Sequence, residues 1–143
     1  MLLCHLRIVM SRRCFGLHVR WPWSSLIIEG KKNVETRSYP IPQKHIGVPL
    51  AIIETAGKKG KNKSSGVAKI VGVVTFSGCI QYKTRKQWLL DFHRHQVSVN
   101  DPEFSFDPKK EKWGWIICKV EKISPPKPAP KKRGIVFASN CEI

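Results

Sequence analysis

RWPWSSLIIEGKKNVETRS, residues 20–38, runs through two periods in succession. Pro22 suits the first turn of a helix, Trp23, Leu26 and Ile27 recur at i, i+3, i+4, and Gly30 supplies the stop. From Lys32 to Ser38 the pattern becomes alternation, with Val34 and Thr36 facing one way and Glu35 and Arg37 the other. Lys32 sits at the turn and can lean over the face that Glu35 and Arg37 share. One carboxylate would then lie between two cations, stay ionised, and accept hydrogen bonds from a base edge. Lys32 and Arg37 could hold phosphate or polarise a carbonyl. On spacing alone, the same three residues also read as a surface ion pair steadying a turn.

Outward from this segment the chain is mostly strand. Residues 15–20 alternate apolar and polar, 48–55 (VPLAIIET) form an apolar run, and 67–76 (VAKIVGVVTF) carry a strong strand pattern. Gly72 inside that run predicts a bulge or a tight bend. TRKQWLLDFHRH, residues 84–95, reads as one helix with Thr84 and Gln87 as a capping box and Trp88, Leu89 and Phe92 as its inner stripe. Further strands are expected at 113–120 and 134–139, joined by a polyproline-type connector over 124–132 (SPPKPAPKK). Five or six strands against two or so flanking helices make an α+β fold. The short connections and the glycine-bent central strand favour a small barrel-like sheet over a doubly wound one. The polar loops at 57–65 and 97–112 fall between strands, so 15–139 is expected to be a single domain, with 140–143 a tail.

Composition narrows the function classes. At 143 residues the chain suits one domain and can bury a core without metals or disulfides. No apolar run reaches the ~18 residues of a membrane span. Twenty-six Lys and Arg against ten Asp and Glu give a net charge of +16, which points to a polyanionic partner, although solubility or a basic tail would give the same surplus. The five cysteines, at 4, 14, 79, 118 and 141, are widely spaced with no C-x-x-C pair, so they are expected to be reduced thiols of an intracellular, cytoplasmic protein. Residues 1–14 read either as a disordered basic arm or as an extension upstream of a start at Met10; Arg7 cuts their apolar stretch too short for a secretion signal.

Other candidate groups carry weaker signals. Exposed aromatic rings in a basic cleft stack on splayed bases. Trp21 is the first choice for that role, with Tyr39 beside it; Trp23 belongs to the helix's core stripe, and Trp113 and Trp115 share one face, towards core or cleft. Asp91, His93 and His95 scatter around a helix and do not make a metal site, and no metal or cofactor is expected. Lys58, Lys59, Lys61 and Lys63, with Lys127, Lys131, Lys132 and Arg133, either extend a phosphate-binding surface or are simply solvated.

The segment resembles the opening motif of ASCH domains, the activating-signal-cointegrator homology family of the PUA-like superfamily. Its Pro-Trp-led helix is followed by G-x-K-x-x-E-x-R, met here by Gly30, Lys32, Glu35 and Arg37. GVPLAIIETA, VAKIVGVVTFSGCI and WGWIICKVEKISPPKPAPKKRGIVF look like later strands of the family, extending the likeness over roughly residues 15–138. The resemblance implies a PUA-like β-barrel with a cleft beside the motif turn, of a kind used for RNA, modified bases or nucleotides. It also implies that hydrolysis is possible. A small bacterial acetylcytidine amidohydrolase of the family keeps the motif lysine, matched by Lys32, but has threonine where Glu35 stands, and its distant second acid has no assigned counterpart here.

Three functions follow as expectations. The first is an RNA- or nucleotide-binding module in which Lys32, Glu35, Arg37, Trp21 and Tyr39 contact single-stranded nucleic acid or nucleotide. The second is a small hydrolase, on a modified nucleoside or on RNA, with Lys32 and Glu35 catalytic. The third is a coregulator-type domain with a protein partner.

Overall fold

The computed structural model describes residues 12–56, 68–131, 134 and 136–143. The expected N-terminal arm up to residue 11, the lysine loop at 57–65, Lys132 and Arg133 lie outside the described residues. Six strands are β1 (Arg13–Arg20), β2 (Val34–Arg37), β3 (Leu50–Thr55), β4 (Lys69–Gln81), β5 (Trp113–Pro128) and β6 (Phe137–Glu142). Three short helices are α1 (Trp23–Ile28), α2 (Arg85–Leu90) and α3 (Phe92–His95), with a 3-10 turn at Gln43–His45. The fold is α+β.

The strands form one sheet in the order β2-β5-β4-β3-β1-β6, antiparallel except for β1 beside β3. No ladder joins its end strands, β2 and β6, so the sheet is not a closed barrel, yet it is strongly curled. Three strands separate β5 from β6 in the sheet, which would put them roughly 19 Å apart if it were flat. Instead Trp115 of β5 stacks on Phe137 of β6 with ring centroids 6.2 Å apart. Leu17, Leu50, Ile52, Val74 and Phe76 fill the space inside the curl, and Ile27 of α1 covers one end. Arg37 of β2 donates to the backbone oxygen of His18 in β1 at 2.6 Å, bridging the open side with a guanidinium where no ladder exists.

Gly72 marks a bulge: the β4–β5 register shifts between Ile70 and Gly72. A Cβ there would lie 2.1 Å from Cδ1 of Ile28 and 2.7 Å from the Glu121 carbonyl, so the missing side chain lets α1 press onto the sheet.

Several boundaries differ from the sequence reading. β5 continues through Pro125 and Pro126 to Pro128, absorbing the first part of the expected connector. Beyond Ile116 it has lost β2 as a neighbour and pairs only with β4, and a strand with one free edge tolerates prolines that cannot donate. Pairing also passes the 15–139 limits at both ends, since Arg13 faces Glu142 and Cys14 faces Cys141.

The expected helix over 84–95 is two helices. Thr84 caps α2 as read, accepting from the Gln87 amide at 3.1 Å, while Gln87 accepts from the Lys83 amide at 2.9 Å. Asp91 then interrupts the helix, its carboxylate held by the Tyr82 hydroxyl and by the Arg94 guanidinium at 2.7 and 3.0 Å. The inner stripe is corrected with it: Trp88 is buried, but Leu89 and Phe92 are exposed, and His95 takes the inner position by stacking on Trp88 at 3.6 Å. Among the described residues, Cys14, Cys79, Cys118 and Cys141 are free thiols, and no helix is long and apolar enough to cross a membrane.

Candidate functional site

The turn between α1 and β2 builds the site. Gly30 takes a positive φ of 75°, and the amides of Lys31 and Lys32 both return to the Leu26 carbonyl at 2.9 and 3.0 Å. This left-handed stop ends α1 and aims Lys32 inward. β2 follows in register with β5, Glu35 opposite Trp115 and Arg37 opposite Trp113, so alternation brings both charged side chains to one face.

Lys32, Glu35 and Arg37 line one cavity of about 250 Å³, with Trp23 and Phe104 as its aromatic wall. The two rings meet edge to face, centroids 5.2 Å apart. Thr36, Thr55 and Val97 also line it, and Glu35 is the one carboxylate among the described residues that line it. Arg20 closes the rim, paired with Glu103 at 3.3 Å and lying over the Phe104 ring.

The charges are inside rather than on the surface. Lys32 is fully buried, its Nζ donating to the His95 carbonyl and standing 3.7 Å from Glu35 Oε1. Glu35 accepts from Arg37 Nη2 at 3.2 Å and from the Thr36 amide at 2.9 Å. Burial pushes the Lys32 ammonium down to about 8, with the positive charge of Arg37 pushing the same way and Glu35 resisting. Burial on its own would raise the Glu35 carboxyl; Arg37, Lys32 and the Thr36 amide overcome it and hold Glu35 below the usual carboxylate range. A charge network of this kind resists any rearrangement that leaves one member alone, which fixes its geometry.

The sequence's other candidates are dispersed. Tyr39 packs edge to face on Trp115 at 5.8 Å, inside the curl, and Trp115 donates its Nε1–H to the Tyr39 carbonyl at 3.0 Å. Trp21 is half-buried, its amide bonded to the Thr55 carbonyl, and neither it nor Tyr39 lines the cavity. Trp23, assigned to the core from its helical stripe, does line it. Phe104 and Val97 escaped the sequence reading, because the polar stretch 97–112 gives no sign that it folds back over the motif. His95 is buried; its Nδ1 accepts from the Val97 amide at 3.0 Å, so the tautomer carries a proton on Nε2, 2.8 Å from the Trp88 carbonyl. Among the described residues, no group of three or more His, Cys, Asp and Glu could hold a metal ion.

A family model of the ASCH domain matches residues 17–127. Among solved structures, the chain is similar to the crystal structure of ASCH from Zymomonas mobilis, with a TM-score of 0.58 and 17% identity over 79% of this chain and 72% of that one. A serine-to-alanine mutant of the Zymomonas protein gives 0.58 and 14% over 87% and 86%, and a tyrosine-to-phenylalanine mutant gives 0.53 and 16% over 84% and 77%. At these identities the likeness shows the fold. No curated protein matches the chain.

Proposed function

The chain belongs to the ASCH-domain family, and from that footing we propose that its cleft recognises a single base of RNA, of another single-stranded nucleic acid or of a free nucleotide. The observation that carries this reading is the joint presence, in one cavity, of a buried Lys32–Glu35–Arg37 network and a Trp23–Phe104 wall. The volume of about 250 Å³ lies below the roughly 300–1,000 Å³ of sites for drug-sized ligands, which suits one base and excludes a strand. Glu35 accepts from an exocyclic amine or ring N–H, the partly exposed Arg37 donates to a ring carbonyl, Lys32 behind them holds Glu35 charged and in place, and the aromatic wall covers the face of the base. The backbone of a longer strand would run outside, drawn by the +16 charge.

The test is anisotropy of a labelled single-stranded RNA against salt. Lys32→Gln and Arg37→Gln should each weaken binding at least tenfold. Lys109→Glu and Lys110→Glu, on exposed lysines away from the cavity, should cost little beyond a shallower salt slope. Equal losses from all four would mean a diffuse basic surface and no base site.

One observation favours a second reading, hydrolysis. A general base or nucleophile works near neutrality when its pKa lies close by, and burial brings Lys32 down to about 8. Against it, Glu35 keeps the ammonium charged at pH 7, and no second carboxylate lines the cavity among the described residues. Turnover of acylated cytidines or short RNAs that disappears in Lys32→Ala would make this reading the correct one.

A further inference from the structure

The segment from Lys83 to Val99 carries an apolar surface that the cleft does not use. Leu90 is 70% exposed, Val99 52%, Phe92 47% and Leu89 45%, whereas solvent-facing positions of such short helices are ordinarily polar. Leu89, Phe92, Ser98 and Val99 rim a groove of about 320 Å³ whose floor is Trp88, His95 and Val97, and Leu90 stands beside it. The floor is rigid: Trp88 and His95 stack at 3.6 Å, and both nitrogens of His95 are engaged with backbone.

The exposed charges on the approach to the groove are basic. Lys83 just before α2 and Arg85 and Lys86 in its first turn are exposed, with Arg85 lying over the Phe106 ring. Asp91 is the single acid between 83 and 99, and it is held by Tyr82 and Arg94. The next acids turn away, Asp101 to the amides of Glu103 and Phe104, and Glu103 to Arg20. We infer that the α2–α3 groove docks an acidic peptide segment of a partner protein, one bulky apolar side chain seated over Trp88 and His95 and its carboxylates facing Lys83 and Lys86.

Each competing occupant meets an obstacle in the same geometry. A second copy of this chain would bring like charges face to face. A membrane is best entered by a protruding apolar edge, whereas here the apolar residues rim a concavity sized for one or two side chains. Nucleic acid would find aliphatic Leu89 and Val99 and one hydroxyl, that of Ser98, which already accepts from the Asn100 amide. An apolar anchor in a groove ringed by complementary charge is the arrangement by which short acidic segments are commonly recognised.

The experiment pans a displayed library of random dodecapeptides against the full-length protein at physiological salt. The enriched peptides should be net acidic and contain Leu, Phe, Trp or Met. Their binding should fall at least tenfold in Leu89→Glu and in Phe92→Glu, and several-fold in Lys86→Glu. Both hydrophobic positions are exposed, so circular dichroism and the melting temperature should match wild type. Recovery of no acidic peptide, or of peptides that bind all variants equally, would overturn the inference. So would sedimentation with phosphatidylserine vesicles, or concentration-dependent dimerisation, that Leu89→Glu abolishes, because either result would give the face to a different occupant.

Discussion

Around Lys32 the protein buries charge, and along α2 and α3 it exposes hydrocarbon. Each region reverses the ordinary division between surface and core. They meet at one short wall: the carbonyl of His95 receives Lys32, the ring of His95 floors the groove, and Val97 borders both the cleft and the groove. The contrast lies in how each departure is supported. The buried charges are bound to one another and to backbone, so the fold itself holds them in place. The exposed apolar residues are held less closely, Phe92 by an edge-to-face contact with His95, and the proposed peptide would cover them.

The largest expected effect tests the buried side. Glu35→Gln leaves Lys32 and Arg37 without their shared anion, so denaturant unfolding at pH 7 should show a loss of about 3–5 kcal/mol. A loss under about 1 kcal/mol would place Glu35 in water and erase the contrast.

Titration sharpens the same point. Lys32 releases its proton near 8 in the folded chain and near 10.5 in the unfolded one. Between those values the unfolded chain binds more protons, so stability rises with pH across this window and is flat with respect to this group below it. Unfolding at pH 8 and at pH 10.5 should show wild type gaining about 3 kcal/mol more than Lys32→Met, at 1.36 kcal/mol per pK unit.

The turn at Gly30, the alternation of Glu35 with Arg37, the bulge at Gly72 and the cap at Thr84 were all legible in the sequence. Each is a local rule in which a residue type imposes a backbone shape on its own few neighbours. What was not legible depended on distant partners. Phe104 enters the cleft because a polar loop folds back on Trp23, and Tyr39 leaves it because Trp115 claims its ring from across the sheet. Leu89 and Phe92 obey the helical period but lose the inner face, because Asp91, gripped by Tyr82, breaks the helix between them. Periodicity assumes an unbroken axis and cannot anticipate a side chain that interrupts it.

Smaller effects probe the exposed side. Thr84→Ala removes the acceptor for the Gln87 amide and should cost about 1 kcal/mol, read as a lowered melting temperature. Leu90→Ser should stay within about 0.5 kcal/mol of wild type, since the side chain stands mostly in water. A cost near that of a core leucine would show that α2 packs more deeply than the structure places it.

The most direct test of the account follows amide, indole and methyl resonances while nucleoside monophosphates are added to the protein. Shifts should concentrate at Trp23, Lys32, Glu35, Arg37 and Phe104, with Leu89, Leu90 and Val99 unmoved and the response lost in Arg37→Gln. Shifts centred on the α2–α3 groove, or spread evenly over the exposed lysines of β5 and the loops, would contradict a base-recognising cleft at the motif turn.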